Sequence, residues 1–124
     1  MPTIELTAAD FEKTVTSPGI TLVDFWAAWC GPCRQFAPVF DKASESNADV
    51  TFAKVDTDAE QALAGAAGIT SIPTLMAFRD GVIVFSQPGA LPAPALDQVI
   101  AAVRELDMDE VHAKIAAQHP APVS

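Results

Sequence analysis

The seven residues "TLVDFWA", Thr21 to Ala27, are rich in β-formers and almost continuously apolar. A strand with one wet face alternates polar and apolar residues. An unbroken apolar strand is covered on both faces, which places it at the centre of a sheet with helices above and below. "VTFAKVD", Val50 to Asp56, reads as a second central strand. Between them a helix is predicted from about Cys33 to Ser46, with Phe36, Val39, Phe40 and Ala43 on one stripe.

The flanking segments complete the pattern. "TIEL" is a short first strand. Thr7 followed by Asp10 offers an N-cap with an acid in the first turn of a helix whose buried face carries Phe11 and Val15, and "SPG" (Ser17 to Gly19) ends it. "AEQALAGAAG" is a short helix closed by Gly68. "PTLMAF" and "VIVFS" flank Asp80-Gly81, a hairpin signal. Leu96, Val99, Ile100 and Val103 define a final amphipathic helix. The order strand-helix-strand-helix-strand-helix-strand-strand-helix gives an α/β fold, a central mixed β-sheet flanked by helices on both faces. The hairpin requires an antiparallel pair beside the parallel ones. Residues 1–106 form the domain. Residues 107–124 are expected to be a helical extension, which either prolongs the last helix or forms another, followed by a flexible tail, "HPAPVS".

Half of the 124 residues are apolar and 19% are charged, so the chain can bury a core without metals or cross-links. A net charge of −9 argues against nucleic acid and anionic membranes as partners, since both need a basic patch. The first residues lack the basic start and the run of roughly 7–15 apolar residues of a secretion signal. No stretch approaches the roughly 20 apolar residues that span a bilayer. A cytoplasmic location is therefore expected, where disulfides are usually transient and chemical.

The only two cysteines lie three apart in "WCGPCR", at the junction between the first central strand and its helix. A structural staple would close a very short loop, which gives the least stabilisation and does not persist in a reducing compartment. A zinc site needs about four ligands. Beyond Cys30 and Cys33 the chain offers only His112 and His119, whose separation of seven misses the usual spacing. A redox couple accounts for the placement. Side chains at i and i+3 of a helical turn are close enough to bridge, and a helix start stabilises a thiolate on the cysteine nearer to it, Cys30. Pro32 suits the first turn, where its missing N–H has no acceptor to lose, and Gly31 leaves room for an approaching sulfur.

"VDFWAAWCGPCR", Val23 to Arg34, is similar to the active-site stretch of the thioredoxin family, and "SIPTLMAFRDG", Ser71 to Gly81, to that family's second hallmark segment. The resemblance runs from about Thr3 to Leu106. It implies the thioredoxin fold and a protein-disulfide reductase: Cys30 attacks a client disulfide and Cys33 resolves the mixed disulfide. It implies no bound cofactor, because a flavin-dependent thioredoxin reductase fed by NADPH restores the dithiol. The partners implied are that reductase and disulfide-containing client proteins, with the chain working as a monomer.

Site roles carry over position by position. Asp24 matches the family's buried aspartate, whose burial raises its pKa and lets it take a proton from Cys33. Lys54 matches the lysine near it. Pro73 matches the cis-proline facing the cysteines, and its isomer presents the backbone of Ile72 to an extended client segment. Trp29, Gly31, Pro32, Ile72, Pro73, Gly89 and Ala90 make the docking rim. Pro38 matches a proline expected to kink the active-site helix. Arg34 stands where many relatives have lysine, and Pro88 where valine is frequent. Two alternatives share the fold: a more oxidising isomerase-like protein, which usually carries a histidine between its cysteines, and a binding or assembly subunit with incidental cysteines.

Overall fold

Apolar continuity does place Ile20–Trp26 (β2) at the middle of the sheet. The structure is a computed structural model and describes residues 3–118. The expected flexible tail lies outside those residues. Among them, Thr3–Glu5 forms β1, Val50–Asp56 β3, Thr74–Arg79 β4 and Val82–Pro88 β5, in the sheet order β1-β3-β2-β4-β5. β2 pairs in parallel with β3, setting Asp24 beside Lys54, and antiparallel with β4, setting Asp24 beside Leu75. β1 joins β3 in parallel, and β5 closes the other edge antiparallel to β4. The sheet is therefore mixed, as the element order requires.

Helices cover both faces. Ala8–Val15 (α1) and Gln61–Ala66 (α3) lie on one, where Phe11, Val15 and Leu63 pack on Val23, Phe25, Ala53 and Val55. Gly31–Ser46 (α2) and Ala93–Glu105 (α4) lie on the other, where Phe36, Phe40, Leu96 and Ile100 pack on Leu22, Phe52 and Leu75. The ring of Phe40 meets Phe52 edge-on at 5.1 Å between centroids. Side chains of this size each contribute about 1.5–3 kcal/mol when fully buried. Met108–Gln118 forms a separate helix, α5, rather than prolonging α4. The break comes at Leu106, and Asp107 restarts the helix by accepting from the N–H groups of Asp109 and Glu110 at 3.0 and 3.2 Å. No helix among the described residues is long and apolar enough to cross a membrane.

Local chemistry explains the ends of these elements. The Asp10 carboxylate accepts from the Thr7 N–H at 2.8 Å, which fastens the start of α1. Gly68 ends α3 at φ 73°, where the Ile69 N–H reaches the Ala64 carbonyl and the Gly68 N–H that of Gly65. Asp80 and Gly81 both have positive φ, 51° and 83°, as a two-residue hairpin turn between Arg79 and Val82 requires. One Arg79 nitrogen donates to the carbonyls of Val103, Arg104 and Leu106, closing the C-terminal end of α4 against β4. Parallel β2 and β3 end on the same side of the sheet, and α2 starts there. That junction holds the cysteines.

Candidate active site

α2 begins at Gly31, two residues earlier than the expected start near Cys33. Gly31 and Pro32 are poor residues in a helix interior, but the first turn has no intrahelical acceptor for their N–H groups, so neither weakness applies there. Cys30 consequently occupies the N-cap position, in extended conformation. Its Sγ accepts from the Cys33 N–H at 3.2 Å, and its carbonyl accepts the first helical bond, from Arg34. Cys30 and Cys33 are disulfide-bonded, with Cα atoms 5.2 Å apart. Both side chains are buried among Ala27, Trp26 and Ile72. A charge on the Cys30 sulfur would face an N–H donor and the positive end of a 16-residue helix. Cys33, one turn inside, lacks that advantage.

The Ile72–Pro73 peptide is cis, and the Ile72 carbonyl oxygen lies 3.7 Å from Cys30 Sγ. A groove of about 450 Å³ runs past the disulfide, with Trp29, Cys30, Gly31 and Pro32 on one wall and Thr70, Ser71 and Ile72 on the other. Trp29 is 67% exposed although its indole N–H is held by Asp58 at 3.0 Å. A large apolar ring held open to solvent beside a reactive sulfur is a contact surface. A Cβ added at Gly31 would meet nothing closer than the Arg34 guanidinium at 4.0 Å, so the approach to the sulfurs is open there. The Arg34 guanidinium donates to the Ala28 carbonyl, which fixes positive charge near the pair.

Three of the expected rim positions sit outside the groove lining. Pro73 is fully buried, so it lies beneath the rim, not in it. Gly89 and Ala90 are exposed but do not line the groove; the Gly89 N–H donates to the Pro73 carbonyl at 2.7 Å, with Gly89 at φ 102°. Pro88 ends edge strand β5 opposite Thr74, a position that tolerates a missing donor. Pro38 lies inside α2, which continues through it to Ser46. Sequence reasoning missed the groove's far wall, Thr70 and Ser71, and also Thr57 and Asp58. Of these only Ser71 falls inside a segment the sequence singles out, "SIPTLMAFRDG"; no local pattern marks the others.

Asp24 is completely buried on the α2 side of the sheet, and neither carboxylate oxygen has a hydrogen-bonding partner in the protein. Burial raises its pKa from 3.8 to about 7, more than the opposing pull of the Lys54 ammonium lowers it. Lys54 is half-buried beside it in the β2–β3 register, its Nζ 5.1 Å from the centre of the Trp26 ring. A small cavity of about 90 Å³ opens between Cys33, Ala37, Lys54 and Trp26, large enough for water. Lys54 links the two: it borders this cavity with Cys33 and stands beside Asp24 in the sheet. No cluster of metal-ligating side chains is present among the described residues.

The family model described as Thioredoxin matches residues 2–102. A Streptomyces coelicolor protein named "Putative thioredoxin 2" is 58% identical over 116 residues, which cover 94% of this chain and 87% of that one. At most eight of the 124 residues fall outside that match, so it reaches into the segment after Leu106. The thioredoxin of Listeria monocytogenes is 43% identical over 97 residues, 77% of this chain and 93% of its own. Among solved structures, a mutant thioredoxin from Halobacterium salinarum superposes with a TM-score of 0.78 at 34% identity, covering 85% of this chain and 93% of that one.

Proposed function

This chain belongs to the thioredoxin family, and from that membership we propose how its disulfide reductase chemistry is carried out and supplied. The protein is a thiol–disulfide oxidoreductase whose redox couple is Cys30 and Cys33. The Cys30 thiolate attacks one sulfur of a client disulfide. The client's second sulfur leaves as a thiolate, and a Cys30–client bond forms. Cys33 then gives its proton to the Asp24 carboxylate by way of the cavity below it, and its thiolate attacks Cys30 Sγ. The mixed disulfide breaks, the Cys30–Cys33 bond closes, and the client departs with two electrons.

One observation carries this order of attack: Cys30 is the N-cap of α2, with the Cys33 N–H donating to its sulfur. Lys54 works against Asp24 holding its proton too tightly, which keeps the carboxyl near the working pH. An extended client segment lies in the groove between Trp29–Pro32 and Thr70–Ile72, pairing with the backbone at Ile72. Gly89, whose N–H donates to the Pro73 carbonyl, and the exposed Ala90 beside it extend that contact. On this reading the protein is a cytoplasmic monomer of one domain, residues 1–106, carrying the 107–124 segment as an appendage. It holds no cofactor of its own, and NADPH supplies electrons through the flavin of a thioredoxin reductase.

Insulin reduction with NADPH and a bacterial thioredoxin reductase tests the whole cycle. The expected result is catalytic precipitation of the insulin B chain that is lost in Cys30→Ser. Reduction by dithiothreitol-driven turnover but none with the reductase would remove the proposed electron source and keep the chemistry.

A further inference from the structure

Two aspartates, not one, carry buried carboxylate oxygens with no hydrogen-bonding partner among the described residues: Asp24 and Asp41. Alternation along β2 puts Leu22 and Asp24 on the same side, and Leu22 packs against Phe36 and Phe40 of α2. Asp24 therefore lies beneath α2. On that helix Cys33, Ala37 and Asp41 recur every four residues and form one stripe. The first two border the cavity that also touches Lys54 and Trp26. Asp41, the next turn along, is half-exposed overall, yet its Oδ1 is buried with no hydrogen-bonding partner in the protein. The Ser44 hydroxyl, one turn further, donates to the backbone carbonyl of Asp41, not to its carboxylate. Leaving a buried acceptor unmatched costs about 1–3 kcal/mol, more for a charged one.

We propose that Asp41 is a positioning residue for the resolving step, its carboxylate facing the Asp24–Lys54 pair and holding the proton on Asp24. The charged groups acting on Asp24 come from two elements: Lys54 from β3 favours the ionised form, and Asp41 from α2 opposes it. The neighbour from β4 is Leu75, which is apolar. Like charges that share a low-dielectric site cannot both ionise freely, so Asp41 keeps Asp24 protonated to higher pH than Lys54 alone would allow. When Cys33 later delivers its proton, Asp41 makes Asp24 the stronger acceptor. This deepens the proposed mechanism and depends on the proton-accepting role of Asp24 only for its kinetic consequence.

The test is a carboxyl-carbon NMR titration of Asp24 in the oxidised protein, comparing wild type, Asp41→Asn, Asp41→Ser and Asp41→Glu. With the charge removed, the Asp24 midpoint falls by roughly 0.5–1 pH unit, a 3- to 10-fold loss of proton affinity, and Asp41→Glu retains most of the wild-type value. The acid limb of the resolution rate moves down by the same interval. An Asp24 midpoint unchanged in Asp41→Asn, or in Asp41→Ser should the amide variant not fold, overturns the proposal. The titration reads the coupling without reference to turnover, so a failure of Asp24 as acceptor, which Asp24→Asn kinetics report separately, leaves the two conclusions distinguishable.

Discussion

Replacing Asp24 with asparagine should make the oxidised protein more stable at neutral pH, and the gain should vanish in acid. The folded protein holds the Asp24 proton up to about pH 7, whereas the ordinary value is 3.8. Between these limits the unfolded chain is ionised and the folded chain is not, so the folded state binds more protons and stability falls as pH rises. The contribution is fully present below pH 3.8, declines across the interval and is lost once pH passes about 7. At about 1.4 kcal/mol per pH unit, the rise amounts to about 4 kcal/mol. An asparagine has its own buried polar atoms, but that cost is the same at every pH. The difference between the variants at pH 8 and at pH 4 therefore isolates the ionisation. Urea unfolding of the two oxidised proteins at both pH values measures it: Asp24→Asn should gain about 4 kcal/mol over wild type on going from pH 4 to pH 8. Parallel pH profiles would show that Asp24 ionises in the folded state as easily as in water, and the desolvation argument would be wrong.

Cys33→Ser should accumulate mixed disulfides through Cys30 when incubated with oxidised client proteins, seen on non-reducing gels; a lysate yielding none would reverse the assigned order of attack. Trp29→Ala removes an exposed ring, so its unfolding free energy should change by less than about 0.5 kcal/mol while kcat/KM for insulin reduction falls several-fold, and unchanged kinetics would remove Trp29 from the docking surface. Arg79→Met leaves the last carbonyls of α4 without their shared donor; a loss of about 1–3 kcal/mol is expected by urea unfolding, with amide exchange rising first around Val103 to Leu106. Phe40→Ala empties the centre of the α2-side core and should destabilise by about 3–5 kcal/mol, read as a lowered urea midpoint at unchanged slope.

What the sequence made legible is what local chemistry decides. β3 begins and ends where the "VTFAKVD" segment does, at Val50 and Asp56. The Asp80-Gly81 turn has the backbone that only such residues adopt readily. The cysteine pair marks its own site because a helix start is the place where i and i+3 sulfurs gain both proximity and an N–H donor. Less visible was the true start of α2, since glycine and proline signal a break everywhere except in a first turn. Asp24 was legible through its match to the family's buried aspartate, and the sheet order that puts β2 at the centre is what keeps its carboxyl dry. Thr57 and Thr70 come to the groove through the placement of β3 and β4 beside β2, which no window of sequence contains. Asp41 had a signal, its eight-residue spacing from Cys33, but an acid on a half-exposed helix face is ordinary until the fold sets a second carboxylate beneath it.

Two thiols made unequal by one helix end set the order of attack. In the reduced protein, the rate of iodoacetamide alkylation should be followed at each cysteine by mass spectrometry from pH 5 to pH 10. Cys30 should react with a midpoint well below the ordinary thiol value of about 8.5, and Cys33 should lag far behind at pH 7. Equal rates at the two sulfurs across that range would contradict the assignment of Cys30 as the nucleophile.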